Sequence, residues 1–157
     1  MDPLMAFLAA GIDAYRDQDV RRALAALAHA AEDTGAAVLL VRNLNKASGG
    51  TALYRGGGSI GIIGAARIAF AVGRNPDDPQ DGRLLAPTKA NLTRFAPSLA
   101  WRLVDTDTGH ARIAWDGVSR YSADELLRAP ADAATGRSRI CIAGVIRAIH
   151  ATSREVA

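Results

Sequence analysis

Apolar positions recur at Val20, Leu24, Leu27 and Ala31, with Arg21, Arg22 and Glu32 falling between them. That spacing predicts a helix with one apolar stripe and charges turned outward. Asp17 or Asp19 can cap its start, and Gly35 suits its C-terminal stop. The next run, AAVLLV at 36–41, is apolar without interruption. A run of that length predicts a strand buried on both faces, as in a parallel sheet. Helix, glycine and buried strand make half of an α/β repeat.

The pattern then loosens. Residues 1–10 read as the end of a buried element followed by a loop. Residues 43–58 (NLNKASGGTALYRGGG) are rich in Gly, Asn and Ser and predict a mobile surface loop. A short helix is expected over 59–66 and a second buried strand over 68–72 (IAFAV). Residues 75–82 (NPDDPQDG) read as a turn-dense linker, too polar and Pro-rich for a regular element, with Asp77, Asp78 and Asp81 solvated. Strands over 84–92, 99–104 and 111–115 form a meander, with 105–109 as one hairpin turn. Trp101 and Trp115 are expected in its core. Ser122 with Glu125 three residues on is a capping box for a short helix over 123–128. Past Pro130 the character changes, and residues 139–150 (RICIAGVIRAIH) are apolar on almost every face. No internal repeat is visible.

With 157 residues, 49% hydrophobic and 22% charged, the chain has the size and make-up of one globular domain. No apolar run approaches the roughly 20 residues that cross a bilayer, and the N-terminus lacks a secretory pattern. The single cysteine, Cys141, rules out an internal disulfide framework and a cysteine-based zinc site. A reduced, cytoplasmic protein is the simplest expectation. Net charge is +3, carried almost wholly by arginine, with lysine only at Lys46 and Lys89. This mild basicity permits nucleic acid as a partner without requiring it. His29, His110 and His150 show no metal-ligand spacing, and no Gly-Lys-Ser/Thr phosphate loop occurs.

Several segments, in this order, resemble the RecA-like ATPase core of RepA-type hexameric helicases and related mobile-element AAA-family ATPases. They are Asp2-Pro3-Leu4, RDQDVRRAL, AVLLVRNLNK, ALYRGGGSIGIIGAARIAFAV, the Asp-Pro turn and LLAPTKANL, together spanning roughly residues 2–104. The resemblance implies an α/β fold: a partial RecA-like P-loop core, mostly parallel, with flanking helices, ending in an antiparallel strand meander. It assigns residues 1–130 to that core and leaves 131–157 as an atypical tail, which a frameshift near 135–139 would explain. It makes Asp2 the Walker B aspartate that holds Mg²⁺ through water. The phosphate loop and catalytic glutamate of such proteins lie upstream of that point. Either translation starts further upstream or the gene is truncated.

The same resemblance assigns the remaining candidates. Asn43 takes the nucleotide-sensing position, where the family commonly has histidine; asparagine can hydrogen-bond a phosphate but cannot carry a proton's charge. Lys46, Tyr54 and Arg55 lie on the loop facing the central channel, joining cations to an aromatic ring as single-strand tracking requires. Arg67 corresponds to an arginine finger reaching a neighbour's nucleotide, and Lys89 with Asn91 resembles the strand-end motif of the same intersubunit site. ATP and Mg²⁺ are then the parent family's cofactors, single-stranded DNA the partner, and a homo-oligomeric ring the assembly. Three readings are open: a helicase-domain fragment inactive alone, a non-enzymatic module docking on an intact ring, or a product with no stable fold.

Overall fold

Helix α1 spans Asp17–Thr34 and buries Val20, Leu24 and Ala31, as the spacing predicts. It ends at Gly35, which takes the left-handed conformation (φ +67°) that glycine adopts without steric penalty. Asp17 and Asp19 do not cap the helix; both lie in its first turn, where a carboxylate favours the dipole. The computed structural model describes residues 3–43, 58–128 and, for the backbone alone, 141–146.

A 3₁₀ turn at Leu4–Phe7 precedes α1. Strand β1 (Val38–Asn43) comes after the helix, then α2 (Gly61–Ala65), β2 (Ile68–Asn75), β3 (Asp78–Ala90), β4 (Ser98–Asp105), β5 (Ala111–Ser119), α3 (Ala123–Arg128) and β6 (Cys141–Ile146). The six strands form one sheet in the order β1-β6-β2-β3-β4-β5.

Every pairing among the described residues is antiparallel. This corrects the expected mostly parallel RecA-like sheet. Strands β1 and β2 do run in the same direction, but they never touch. Strand β6 lies between them and opposes both, with Leu40 and Ala69 each facing Gly144. The supposed linker at 75–82 is also part of the sheet. Asn75 faces Asp78 across a two-residue turn, and the Asp77 amide donates to Asn75 Oδ1 at 3.1 Å. Gly82 lies so close to this turn that a Cβ there would come within 2.8 Å of the Asp78 carbonyl oxygen.

Residues directly opposite in an antiparallel ladder share a face, so the register sorts the side chains. Leu40, Ala69, Ala71, Gly73, Leu84, Ala86 and Ala100 share one face. All the described helices pack on it. Leu40 joins Leu4, Val20, Leu24 and Ile62 in one cluster. Ala71, Leu84, Ala86 and Ala100 join Ala123, Leu126 and Leu127 of α3 in another. The opposite face carries Leu39, Phe70, Val72, Leu85, Leu99, Trp101 and Leu103, with Arg74 and Arg83 among them. No described helix covers it. The runs at 36–41 and 68–72 were expected to be buried on both sides, yet their burial alternates along β1 and β2. The architecture is two layers, helices over one side of an antiparallel sheet.

Candidate functional site

The candidates do not all fall within the described residues. Asp2, Lys46, Tyr54 and Arg55 lie outside them. Asn43 ends β1, exposed, opposite Cys141. Beside it Arg42 is buried to 3% exposure, and its Nη1 donates to the Ser59 carbonyl at 3.5 Å. Desolvation lowers its guanidinium below the ordinary arginine value, to about 10.

Arg67, Lys89 and Asn91 are brought together. Strand β2 begins just after Arg67 and β3 ends just before Asn91; the Asn91 amide donates to the Arg67 carbonyl at 3.0 Å. One irregularity sets where Lys89 points. Ala69 faces Lys89 while Phe70 faces Pro87, so Thr88 is an extra residue on β3. Such a bulge re-aims the side chains beyond it, because one inserted residue exchanges the two faces. Lys89 is thereby turned onto the helix-covered face, and its Nζ donates to the Ile63 carbonyl at 2.8 Å and the Gly64 carbonyl at 3.0 Å. These carbonyls close the C-terminal end of α2, where a cation suits the helix dipole. Burial first, and then the charge of Arg67, hold the ammonium below its ordinary value.

The trio therefore has a structural and a chemical side. Lys89 spends two of its three donors on α2. Arg67 and Asn91 are exposed at the same end of the sheet. Two neighbouring cations and an amide can hydrogen-bond the oxygens of a phosphate or polyphosphate.

Two features escaped the sequence reading. Ser59 fastens the start of α2: its Oγ accepts from the Gly61 amide at 2.9 Å and donates to Asp17 Oδ1 at 2.9 Å. Asp17 also pairs with Arg21, and these contacts, Arg21 first and Ser59 second, hold its carboxyl below the usual range. The second feature is the acidic turn. Rather than standing in solvent alone, Asp77 accepts from the Tyr121 hydroxyl at 2.6 Å and from Arg120 Nη2 at 3.0 Å. The Tyr121 hydrogen bond is the main reason its carboxyl stays low. Arg120 stacks 4.9 Å above the Tyr121 ring. These links anchor the β2–β3 turn to the start of α3, where Ser122 and Glu125 form the expected capping box. Beside them a cleft of about 490 Å³ opens between Pro87, Thr88, Phe95, Ser98, Ser119 and Tyr121.

The tryptophans correct another expectation. Trp101 and Trp115 face each other across β4 and β5 on the uncovered side of the sheet, and Trp115 is 58% exposed. Among the described residues no helix is long and apolar enough to cross a membrane. No cluster of three or more His, Cys, Asp or Glu suited to a metal ion occurs among them. Comparison with protein-family models, with curated proteins and with solved structures finds no match to this chain.

Proposed function

We propose that this chain is a non-hydrolysing component of a helicase-type ATPase serving the replication of a plasmid, phage or integrated element. In this reading it lends phosphate-facing and DNA-facing groups to a ring, while a neighbouring chain holds ATP and Mg²⁺. The observation that carries the reading is the meeting of Arg67, Lys89 and Asn91 at one end of β2 and β3. The order of helicase-like segments along the sequence supports it too. Arg67, exposed and forked, is the group that reaches a neighbour's γ-phosphate. Asn91 and the remaining Lys89 donor orient around the same oxygens. Lys46, Tyr54 and Arg55 track a single strand by phosphate contact and stacking. No Gly-Lys-Ser/Thr loop lies within these 157 residues, and in this reading the hydrolysed ATP is the one held by the neighbouring chain.

Two measurements test this. Titration of the ¹⁵N-labelled chain with tripolyphosphate should shift the signals of Arg67 and Asn91 before any others. A fluorescein-labelled oligo-dT should bind weakly, with affinity falling as salt rises, and lose that binding in Lys46→Ala/Arg55→Ala. Phosphate responses scattered away from Arg67, or DNA binding indifferent to the double substitution, would overturn the assignment. ATP turnover by the chain alone that Arg67→Ala abolishes would refute the non-hydrolysing part.

A second reading, a non-enzymatic interaction module, is favoured by a different observation: the apolar face of the sheet that no described helix covers. It expects neither phosphate response nor DNA binding, and so separates from the first in the same two titrations.

A further inference from the structure

The uncovered face of the sheet is most exposed over β4 and β5. Three rungs stand there side by side: Leu99 opposite Val118, Trp101 opposite Trp115, and Leu103 opposite Ile113. All six side chains are apolar. Five are among the exposed large hydrophobics: Leu99 at 36%, Leu103 at 59%, Ile113 at 49%, Trp115 at 58% and Val118 at 71%. Scattered exposed leucines need no explanation, but a contiguous ladder with a tryptophan pair at its centre does.

We propose that this face is a homodimer interface, and that a second copy of the chain stacks its own ladder on it, sheet against sheet. Size is the first argument. The exposed fractions leave roughly 500 Å² of apolar surface on the ladder of one copy, against about 800 Å² per partner in a standard stable interface. Half-buried Trp101, Phe70, Val72 and Leu85 lie on the same face and carry the patch towards that size.

Shape is the second argument. The ladder has an aromatic rung between two aliphatic ones, so a two-fold axis through the tryptophans lays aliphatic on aliphatic and aromatic on aromatic. A two-fold contact must be self-complementary in this way. Packed apolar sheets sit about 10 Å apart, with side chains interdigitating. Tryptophan supplies the large anchors that such interfaces favour.

Of the sheet's two outer strands, β5 is the one beside this ladder; its edge is the competing surface there, and it is guarded. Strand β5 ends the sheet, but its register with β4 shifts beside Ala100 and Trp101, leaving Asp116 as an extra residue next to Gly117 at φ +100°. Asp116 pairs with Arg102 at 3.0 Å. A bulge and charges on an outer strand oppose strand addition. The partner therefore meets the face and leaves the edge alone. The dimer requires this face only and is independent of the phosphate reading.

Sedimentation equilibrium of the full chain over a wide concentration range is the test, with acrylamide quenching of tryptophan fluorescence alongside. The expected result is a monomer–dimer equilibrium, with both tryptophans less quenched as dimer forms. Trp115→Lys should weaken association by at least about thirtyfold. Ile113→Lys, on a neighbouring rung, should weaken it in the same direction. Both positions are exposed, so far-UV circular dichroism should be unchanged. A variant that loses its secondary structure is set aside, and wild-type quenching against concentration then decides. A wild-type chain that is monomeric throughout, with quenching independent of concentration, overturns the proposal. So does a dimer untouched in folded lysine variants, or open-ended association without a closed dimer.

Discussion

Leu126 is the residue on which the docking of α3 can be tested most sharply. It is 3% exposed and lies among Ala71, Leu84, Ala86 and Ala100 on the covered face. Directly beneath it β2 carries Gly73, where a Cβ would stand 3.0, 3.1 and 3.3 Å from Leu126 Cδ1, Cγ and Cδ2. Leu126→Ala removes a buried isopropyl group and leaves a cavity, which costs about 3 kcal/mol. With a urea slope of about 1.5 kcal/mol per molar, the midpoint should fall by roughly 2 M. Gly73→Ala alone overpacks the site by about 1 kcal/mol, offset by a similar gain from removing glycine from a strand. With Leu126 already shortened, the new methyl enters vacated space and only the gain remains. The double variant should therefore be more stable than the two single effects predict, by about 1 kcal/mol. Urea unfolding followed by far-UV circular dichroism measures all four proteins, at one fixed concentration because association shifts the midpoint. Two results would refute the reasoning: a midpoint shift below about 0.3 M for Leu126→Ala, or strictly additive effects. A wild-type transition without cooperativity would instead support the reading of a product with no stable fold.

Two further expectations concern charged groups. The Asp77 carboxyl lies below its ordinary value of 3.8, first through Tyr121. Its contribution to stability is thus fully present above that value and is lost as pH falls through the lower, folded one. Tyr121→Phe should move the Asp77 titration back towards the ordinary value, read from its carboxyl carbon signal by NMR; an unmoved titration would show the hydroxyl contact to be immaterial. Lys89→Met unties the two carbonyls ending α2 and should cost about 1 kcal/mol, allowing for solvent access. Faster hydrogen exchange at the α2 amides, with α3 unaffected, is the signature to seek; equal protection in both proteins would count against the tie.

Local elements were legible in the sequence, and their partners were not. The stripe from Val20 to Ala31, the stop at Gly35 and the Ser122–Glu125 capping box all act within a few residues, so each is visible in a short window. Strand direction is different in kind. A run such as AAVLLV has the same appearance whether its neighbour runs parallel or antiparallel, and whether one face or two are covered. Only the arrival of β6 from far along the chain decided it. The Pro-rich stretch at 75–82 hid a strand because its prolines lie beside a turn and an irregular pairing, where their missing amides matter least. The meeting of Arg67, Lys89 and Asn91 was implied only by resemblance. The bulge at Thr88 that turns Lys89 inward left no readable signal. Asp77 is exposed as expected, but its ties to Arg120 and Tyr121 were hidden because those partners are remote in sequence.

The position of β6 has a consequence for how the chain assembles. Strands β2 to β5 succeed one another as neighbours and need only short loops to pair, so they can zip early. Strand β1 has no such local route: its ladder partner is β6, and Val38 meets Ile146. Until residues 141–146 have been synthesised and threaded into place, the α1–β1–α2 half and the meander half can approach but cannot share a ladder. During that interval β1 and β2 each offer an open hydrogen-bonding edge. The last of the described strands is the keystone of the sheet, and any delay in its arrival lengthens the time in which those edges can capture another chain instead.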